Sequence, residues 1–294
     1  MAEEDWGSDI DPAIRSDRPH QADASRPFDA WARYVHDRQA HADQSIDIDG
    51  IEIGANAKLP DTGSVGHLLS GVLRYSRGHG DLGARSSTKD HRYDAALFDT
   101  MSITEDVYAD LGVSYRHRRA EHKADISGTE IGPDVDPILK SRYNRDTFQL
   151  SAETGWRVPV LPNVSVTPQA QVVWAHVGGY DFTDAYGVKF DGRSYNTTLG
   201  RLGIEADAKV GEKVRPTLGV HVWHAFNGRN EVSISQDTYH HTASDKLRGT
   251  WTDIRAGVTV KPAANIDVHA KARCLAGHGM GGSYRFEVGL DYVW

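Results

Sequence analysis

The chain ends on about eleven residues that alternate in character almost without a miss. Tyr284, Phe286, Val288, Leu290, Tyr292 and Trp294 fall on one side, and Arg285, Glu287, Gly289 and Asp291 on the other, where only Val293 is apolar. Successive side chains of an extended backbone point to opposite faces, so this pattern describes a strand with one apolar and one polar face. Its length is also that of a tilted strand crossing a bilayer.

The same period recurs upstream. Ile51, Ile53, Ala55 and Ala57 alternate with Gly50, Glu52, Gly54 and Asn56, and Ala109, Leu111, Val113 and Tyr115 with Asp110, Gly112, Ser114 and Arg116. Phe148, Leu150, Ala152 and Trp156 oppose Gln149, Ser151, Glu153 and Arg157, and Ile254, Ala256, Val258 and Val260 oppose Asp253, Arg255, Gly257 and Thr259. A soluble sandwich also alternates, with its apolar face in a dry core. Three features favour a membrane barrel instead. The polar face mixes glycine and small polar residues with charges of both signs, as a wet lumen requires. Tyr75, Tyr115, Trp156, Trp174, Tyr284 and Trp294 sit near strand ends, as interfacial girdles do. The chain also finishes on an aromatic inside a strand.

Alternating segments fall at residues 29–42, 46–58, 66–78, 91–103, 106–120, 145–158, 163–177, 196–210, 214–226, 249–261, 265–276 and 283–294. The expected fold is therefore all-β, a transmembrane barrel of about twelve antiparallel strands, an even number as in bacterial single-chain barrels. Connections alternate between tight turns, Leu59 to Gly66 and Gly211 to Lys213, and long polar loops, Ala120 to Asn144 and Asn227 to Arg248. Short turns should face the periplasm and long loops the outside. Residues 28–294 form the barrel in this reading, and 1–27 a linker. Asp11-Pro12 is a plausible helix start there, and Pro19 and Pro27 limit it to about two turns that could lie in a polar lumen.

Composition excludes other classes. No run approaches the roughly 18 to 20 apolar residues of a membrane-spanning helix, so a bilayer could be crossed only by a closed barrel, which pairs every backbone polar group. Cys274 is the single cysteine and leaves no intramolecular disulfide or cysteine-based metal site. A formal net charge of −8 argues against a nucleic-acid partner. The opening MAEEDWGSDIDP lacks the basic start and apolar core of a secretory signal, so the expectation is a piece of a longer precursor, with Met1 added.

Asp29-Ala-Trp-Ala-Arg33, Gly50-Ile-Glu-Ile-Gly-Ala55, Gly200-Arg-Leu-Gly-Ile-Glu205, His224-Ala-Phe-Asn-Gly228, Leu247-Arg-Gly-Thr250 and the terminal Tyr284 to Trp294 occur in this order along the chain. Together they resemble the translocator domain of type Va autotransporters. That resemblance implies a twelve-stranded outer-membrane barrel with a lumenal helix leading to an N-terminal passenger, which is exported to the cell surface. It also implies insertion by the barrel assembly machinery, which reads the last strand. Here that signal is Tyr284, Phe286, Val288, Leu290, Tyr292 and Trp294, with Trp in place of the commoner terminal Phe. Several relatives cut the passenger free after an asparagine of the linking helix. This chain has no Asn before Asn56, so no catalytic residue is assigned. A second departure is Asp99, which shares the outward side with Ala95, Leu97 and Met101 and is expected near the membrane boundary, where a carboxylate costs less.

The remaining motifs have plainer readings. Gly78-His-Gly-Asp-Leu-Gly83 and Gly277-His-Gly-Met-Gly-Gly282 match a dinucleotide fingerprint, but no helix follows to aim amides at a pyrophosphate, so the glycines are assigned to turns. Asp47-Ile-Asp49-Gly50 is a fragment of a calcium loop lying in a strand. His240-His241, the densest pair among 15 histidines, falls in a polar loop without ligand spacing. No metal or cofactor is expected. The inward charges Glu52, Arg74, Asp110, Arg116, Glu153, Arg201, Glu205, Asp207, Asp253, Arg255 and Glu287 are expected to pair across the lumen.

The leading expectation is an outer-membrane translocator, a monomer whose partners are the surrounding lipid, the assembly machinery and its own passenger. Two rivals stand beside it. A barrel protease or lipid hydrolase would carry its chemistry on the loops after Arg77, Ala120 and Asn227, and there is no G-x-S-x-G elbow to support it. A passive porin would conduct steadily.

Overall fold

A computed structural model describes residues 28–41, 44–81, 85–125, 138–184, 186–277 and 282–293. The lumenal helix expected in 1–27, parts of both glycine motifs and Trp294 lie outside the described residues. The strands are β1 (Phe28–His41), β2 (Gln44–Thr62), β3 (Val65–Asp81), β4 (Ser86–Ser102), β5 (Val107–Asp125) and β6 (Ile138–Trp156). They continue as β7 (Val158–Leu161), β8 (Val164–Val177), β9 (Tyr180–Thr183), β10 (Lys189–Gly192), β11 (Tyr195–Ala208) and β12 (Val214–Ala225). The last are β13 (Arg229–Gln236), β14 (Tyr239–Lys246), β15 (Gly249–Ala263), β16 (Ile266–Ala276) and β17 (Tyr284–Val293).

Twelve of these close into an antiparallel barrel in the order β1-β2-β3-β4-β5-β6-β8-β11-β12-β15-β16-β17, and β17 returns to β1. The short β7 continues β6 beyond Arg157 and pairs with the same neighbour, β8. Closure satisfies the backbone of every stave and leaves no edge in hydrocarbon.

Alternation sets which side meets what. On β2, Ile51 is 63% exposed and the adjoining Glu52 is 0% exposed, and the same contrast separates Leu202 from Arg201 and Ile254 from Asp253. The outer surface is therefore aliphatic and the inner one polar, the reverse of a soluble protein and the arrangement a lipid-embedded barrel requires. Tyr115, Trp156 and Trp174 are exposed on the outer face. Asp99 lies on that face three residues before the end of β4, with Oδ2 2.9 Å from His67 Nδ1.

All turns at one end are short, and this end also holds the start of β1 and the end of β17. At the other end the connections vary, from two residues between β1 and β2 and four between β3 and β4 to more than ten between β5 and β6, β8 and β11, and β12 and β15. Two of them fold further, one of which, Asn227 to Arg248, is expected as a polar loop: β9 and β10 form a hairpin, β13 and β14 another, and β10 pairs with β13 to make one four-stranded sheet beyond the barrel rim. Asn227 to Arg248 is thus a hairpin with short flanks, and His240-His241 sits on β14, not in a loop. Its sequence escapes the period-two test because few apolar residues mark it and its partner strand is remote in sequence. Stacked rings tie this sheet down, with Tyr143 of β6 4.1 Å from Tyr180 and Phe182 4.6 Å from Phe190.

Where rings enter the lumen, glycine makes room. A Cβ on Gly54 would lie 2.2 Å from the Trp31 ring, and one on Gly112 2.4 Å from Phe98, so each ring lies flat against the neighbouring strand only because no side chain stands there.

Candidate functional site: the barrel interior

Every inward charge named from the sequence points into the barrel, and most of them meet in ion-pair clusters. Glu52 holds Arg33 at 2.5 Å and Arg74 at 2.9 Å, with Arg285 at 3.9 Å. Arg33 also reaches Glu287 at 2.8 Å, and Glu287 lies 3.4 Å from His269 and 3.6 Å from Lys271. Since Arg33 is on β1, Glu52 on β2 and Glu287 on β17, this cluster straddles the line where the first strand meets the last.

A second group lies across β4 and β5. Arg116 pairs with Asp94 at 2.5 Å, and Asp90 accepts from Arg92 at 2.6 Å and Arg118 at 3.0 Å. A third occupies the opposite wall. Glu153 accepts from Tyr108 and Arg201, both at 2.7 Å. Asp253 holds Arg255 at 2.6 Å and Arg273 at 3.0 Å, and accepts from the Trp223 indole at 3.3 Å. Asp110 is buried and accepts from Thr100 at 3.4 Å. Glu205 and Asp207 are only half-buried and lie toward the short-turn end, with Asp207 3.8 Å from Arg157.

Several principal members were not named from the sequence. Arg33, Asp94, Arg118, His269, Arg273 and Arg285 all occupy inward positions of recognisable strands, so parity would have found them. Asp90 was hidden differently: the fourth strand was expected to begin at residue 91, but it begins at Ser86.

The two ends of the interior differ. At the short-turn end a cavity of about 1230 Å³ is lined by Lys58, Asp61, Asp106, Asp207, Lys213 and Lys261 among others. Toward the far end the wall of β8, β11, β12 and β15 carries a dry cluster that the expectation of a uniformly wet lumen missed. Val173, Ala175, Val177, Leu199, Trp223 and Trp251 pack there with Leu247, which comes from the segment between β14 and β15. Trp223 and Trp251 are stacked at 6.1 Å between ring centroids, and Arg201 lies 5.4 Å from the Trp223 ring. Leu247, arriving from outside the barrel staves, packs on these residues, a contact that strand alternation cannot reveal. Among the described residues no cluster of histidine, cysteine and carboxylate groups could hold a metal ion.

The autotransporter beta-domain family model matches residues 25–273. The chain belongs to that family. It is 25% identical over 276 residues to a pertactin autotransporter of Bordetella parapertussis, covering 90% of this chain and 28% of that protein, so it spans less than a third of this curated relative. Among solved structures, the translocator domain of autotransporter NalP from Neisseria meningitidis superimposes with a TM-score of 0.74 at 14% identity, over 91% of this chain and 89% of the other. The beta domain of Bordetella BrkA gives 0.65 at 17% identity, over 91% and 100%. The beta-domain is an outer-membrane barrel, and the expected twelve-stranded translocator fold is what the structure contains.

Proposed function

We propose that this beta-domain anchors a longer precursor in the outer membrane and exports a passenger joined to it ahead of Phe28, through or alongside the lumen. The observation that carries this reading is the asymmetry of the interior. The start of β1 lies at the same end as the open, charged cavity, so a polypeptide continuing from β1 has a wet entrance beside it. The ion-paired part of the wall suits such a route, because it holds shape without presenting apolar surface that would bind a passing chain, and the apolar cluster lies beyond it toward the far end.

Assembly by the barrel machinery through Tyr284 to Trp294, and a monomeric state, belong to the same proposal. Support for the first comes from the outward row Phe286, Val288, Leu290 and Tyr292, all exposed to the surroundings of the barrel. The lumenal charge clusters act in this reading as the internal frame of the translocator.

An export signal and an epitope placed ahead of Phe28 test the proposal in intact Gram-negative cells. The epitope should be cut by protease added outside while the barrel keeps its heat-modifiable gel mobility. A folded barrel whose epitope stays protected in the periplasm would refute it.

A further inference from the structure

The outer face of β3 to β6 carries an unbalanced positive surface just above the membrane belt. Tyr75, Tyr93 and Tyr115 mark the upper limit of the aliphatic zone, as interfacial aromatics do. One step farther from the short-turn end, Arg77 stands opposite His91, His91 opposite Arg119, and Arg119 opposite Asn144. The next row runs His79, Lys89, Glu121, Arg142, and the row beyond it runs Asp81, Ser87, Lys123, Lys140. Directly opposed side chains on one face are about 5 Å apart. Six cations, Arg77, Lys89, Arg119, Lys123, Lys140 and Arg142, therefore share this face with three carboxylates: Glu121, which pairs with Arg142 at 2.9 Å and Lys123 at 3.7 Å, and Asp81 and Asp125 at the outer ends of β3 and β5.

This excess is local. The chain as a whole has a formal net charge of −8. On the neighbouring outer face of β1 and β2, charges are matched, Arg38 with Asp47 at 3.0 Å and His36 with Asp49 at 2.9 Å. At the corresponding level of β8, β11, β12 and β15 the residues are His176, Asn196, His224 and Thr250, bonded to one another in pairs. Like charges set opposite each other, such as Lys123 and Lys140, work against strand pairing, so an external anion is what such a surface is suited to.

We infer that the outer face of β3 to β6 binds the phosphate groups of an outer-leaflet lipid. Depth selects a lipid rather than a soluble polyanion. From Arg119 to Lys123 the strand rises about 13 Å, and with tilt this spans the headgroup layer above the hydrocarbon. An acyl chain lying over Leu73, Leu97 and Val113 brings its headgroup to this level, where Arg77, held by the Tyr75 hydroxyl at 2.8 Å, and Arg119 receive the phosphate. Arginine and lysine grouped at a membrane surface are the usual means of holding anionic lipid. The inference rests on the outer-membrane location and not on passenger export.

The test reconstitutes the whole chain in phosphatidylcholine nanodiscs containing either a bisphosphorylated diglucosamine glycolipid or its dephosphorylated form, and counts retained copies by native mass spectrometry. The parent should retain the phosphorylated lipid at least fivefold better, and the excess should vanish at high salt. Combined Lys89→Gln, Arg119→Gln, Lys140→Gln and Arg142→Gln should abolish it, while Lys209→Gln with Lys213→Gln at the short-turn end should leave it intact. Equal retention of the two lipids by the parent, a comparison that needs no variant, overturns the inference, as does an excess that survives in the fourfold variant. A single-stranded oligonucleotide bound as well as the glycolipid would reassign the surface to a macromolecule and equally overturn it.

Discussion

Replacing Glu52 by glutamine tests whether the ion clusters hold the barrel together. Glu52 is fully buried and has three guanidinium groups within 4.0 Å. Glu52→Gln keeps the shape and removes the charge, leaving Arg33 and Arg285 to share Glu287, which already faces Lys271 and His269, and taking from Arg74 the carboxylate it pairs with. Removing one partner of a buried pair costs about 3–5 kcal/mol, mostly because the remaining charges are left uncompensated. Water in the lumen screens them, so the lower end, about 3 kcal/mol, is the expected loss. Glu121→Gln is the matched control: its partner Arg142 has a side chain 76% exposed, and surface pairs contribute less than about 1 kcal/mol. Both are read by equilibrium urea unfolding in detergent micelles, followed by tryptophan fluorescence and gel mobility. If Glu52→Gln lost no more than the control, the frame role of the cluster would be wrong. A double-mutant cycle with Arg74→Met should show coupling of about 1 kcal/mol or more.

Other changes read other parts of the structure. Val220→Arg places a charge midway between Pro216 and His224 on the lipid side of β12 and should destabilise the barrel in bilayers by about 2–4 kcal/mol, whereas Thr198→Arg near the rim should cost less than about 1 kcal/mol. Gly112→Leu drives a side chain into the Phe98 ring and should lower stability by about 1–3 kcal/mol, with partial recovery when combined with Phe98→Ala. Trp223→Ala with Trp251→Ala opens the dry cluster toward the far end and should raise the single-channel conductance in planar bilayers, where the parent should conduct little; a large steady parental conductance would instead support a porin. Trp294→Ala should slow appearance of the heat-modifiable form in cells, and unchanged kinetics would count against that residue as part of an assembly signal.

The twelve staves were legible because membrane strands repeat one rule, and lipid enforces it at every second position. Strand starts were less so: β4 begins five residues earlier than its apolar pattern, because above the bilayer the outer face no longer has to be apolar, as Lys89 shows. The same reason hid the four outer strands. The β10 to β13 pairing joins two loops far apart in sequence, and Phe190 comes to face Ile234 only once both hairpins exist. Trp223 and Trp251 share the lumenal parity of Asp253, so alternation correctly gives their side and says nothing of the dry surroundings. Charge positions followed from parity, but which acid meets which base depends on register across strands, and register emerges only on closure.

The meeting of β1 with β17 has a consequence for the life of the chain. Their contacts join residues such as Arg33 and Glu287, 254 positions apart, so the ring stays open until its final segment has been delivered. During that interval two raw borders with unsatisfied amides are on offer to any other strand. Loss of β17 would make the interval permanent, so removing that strand should act as a switch from membrane protein to aggregate.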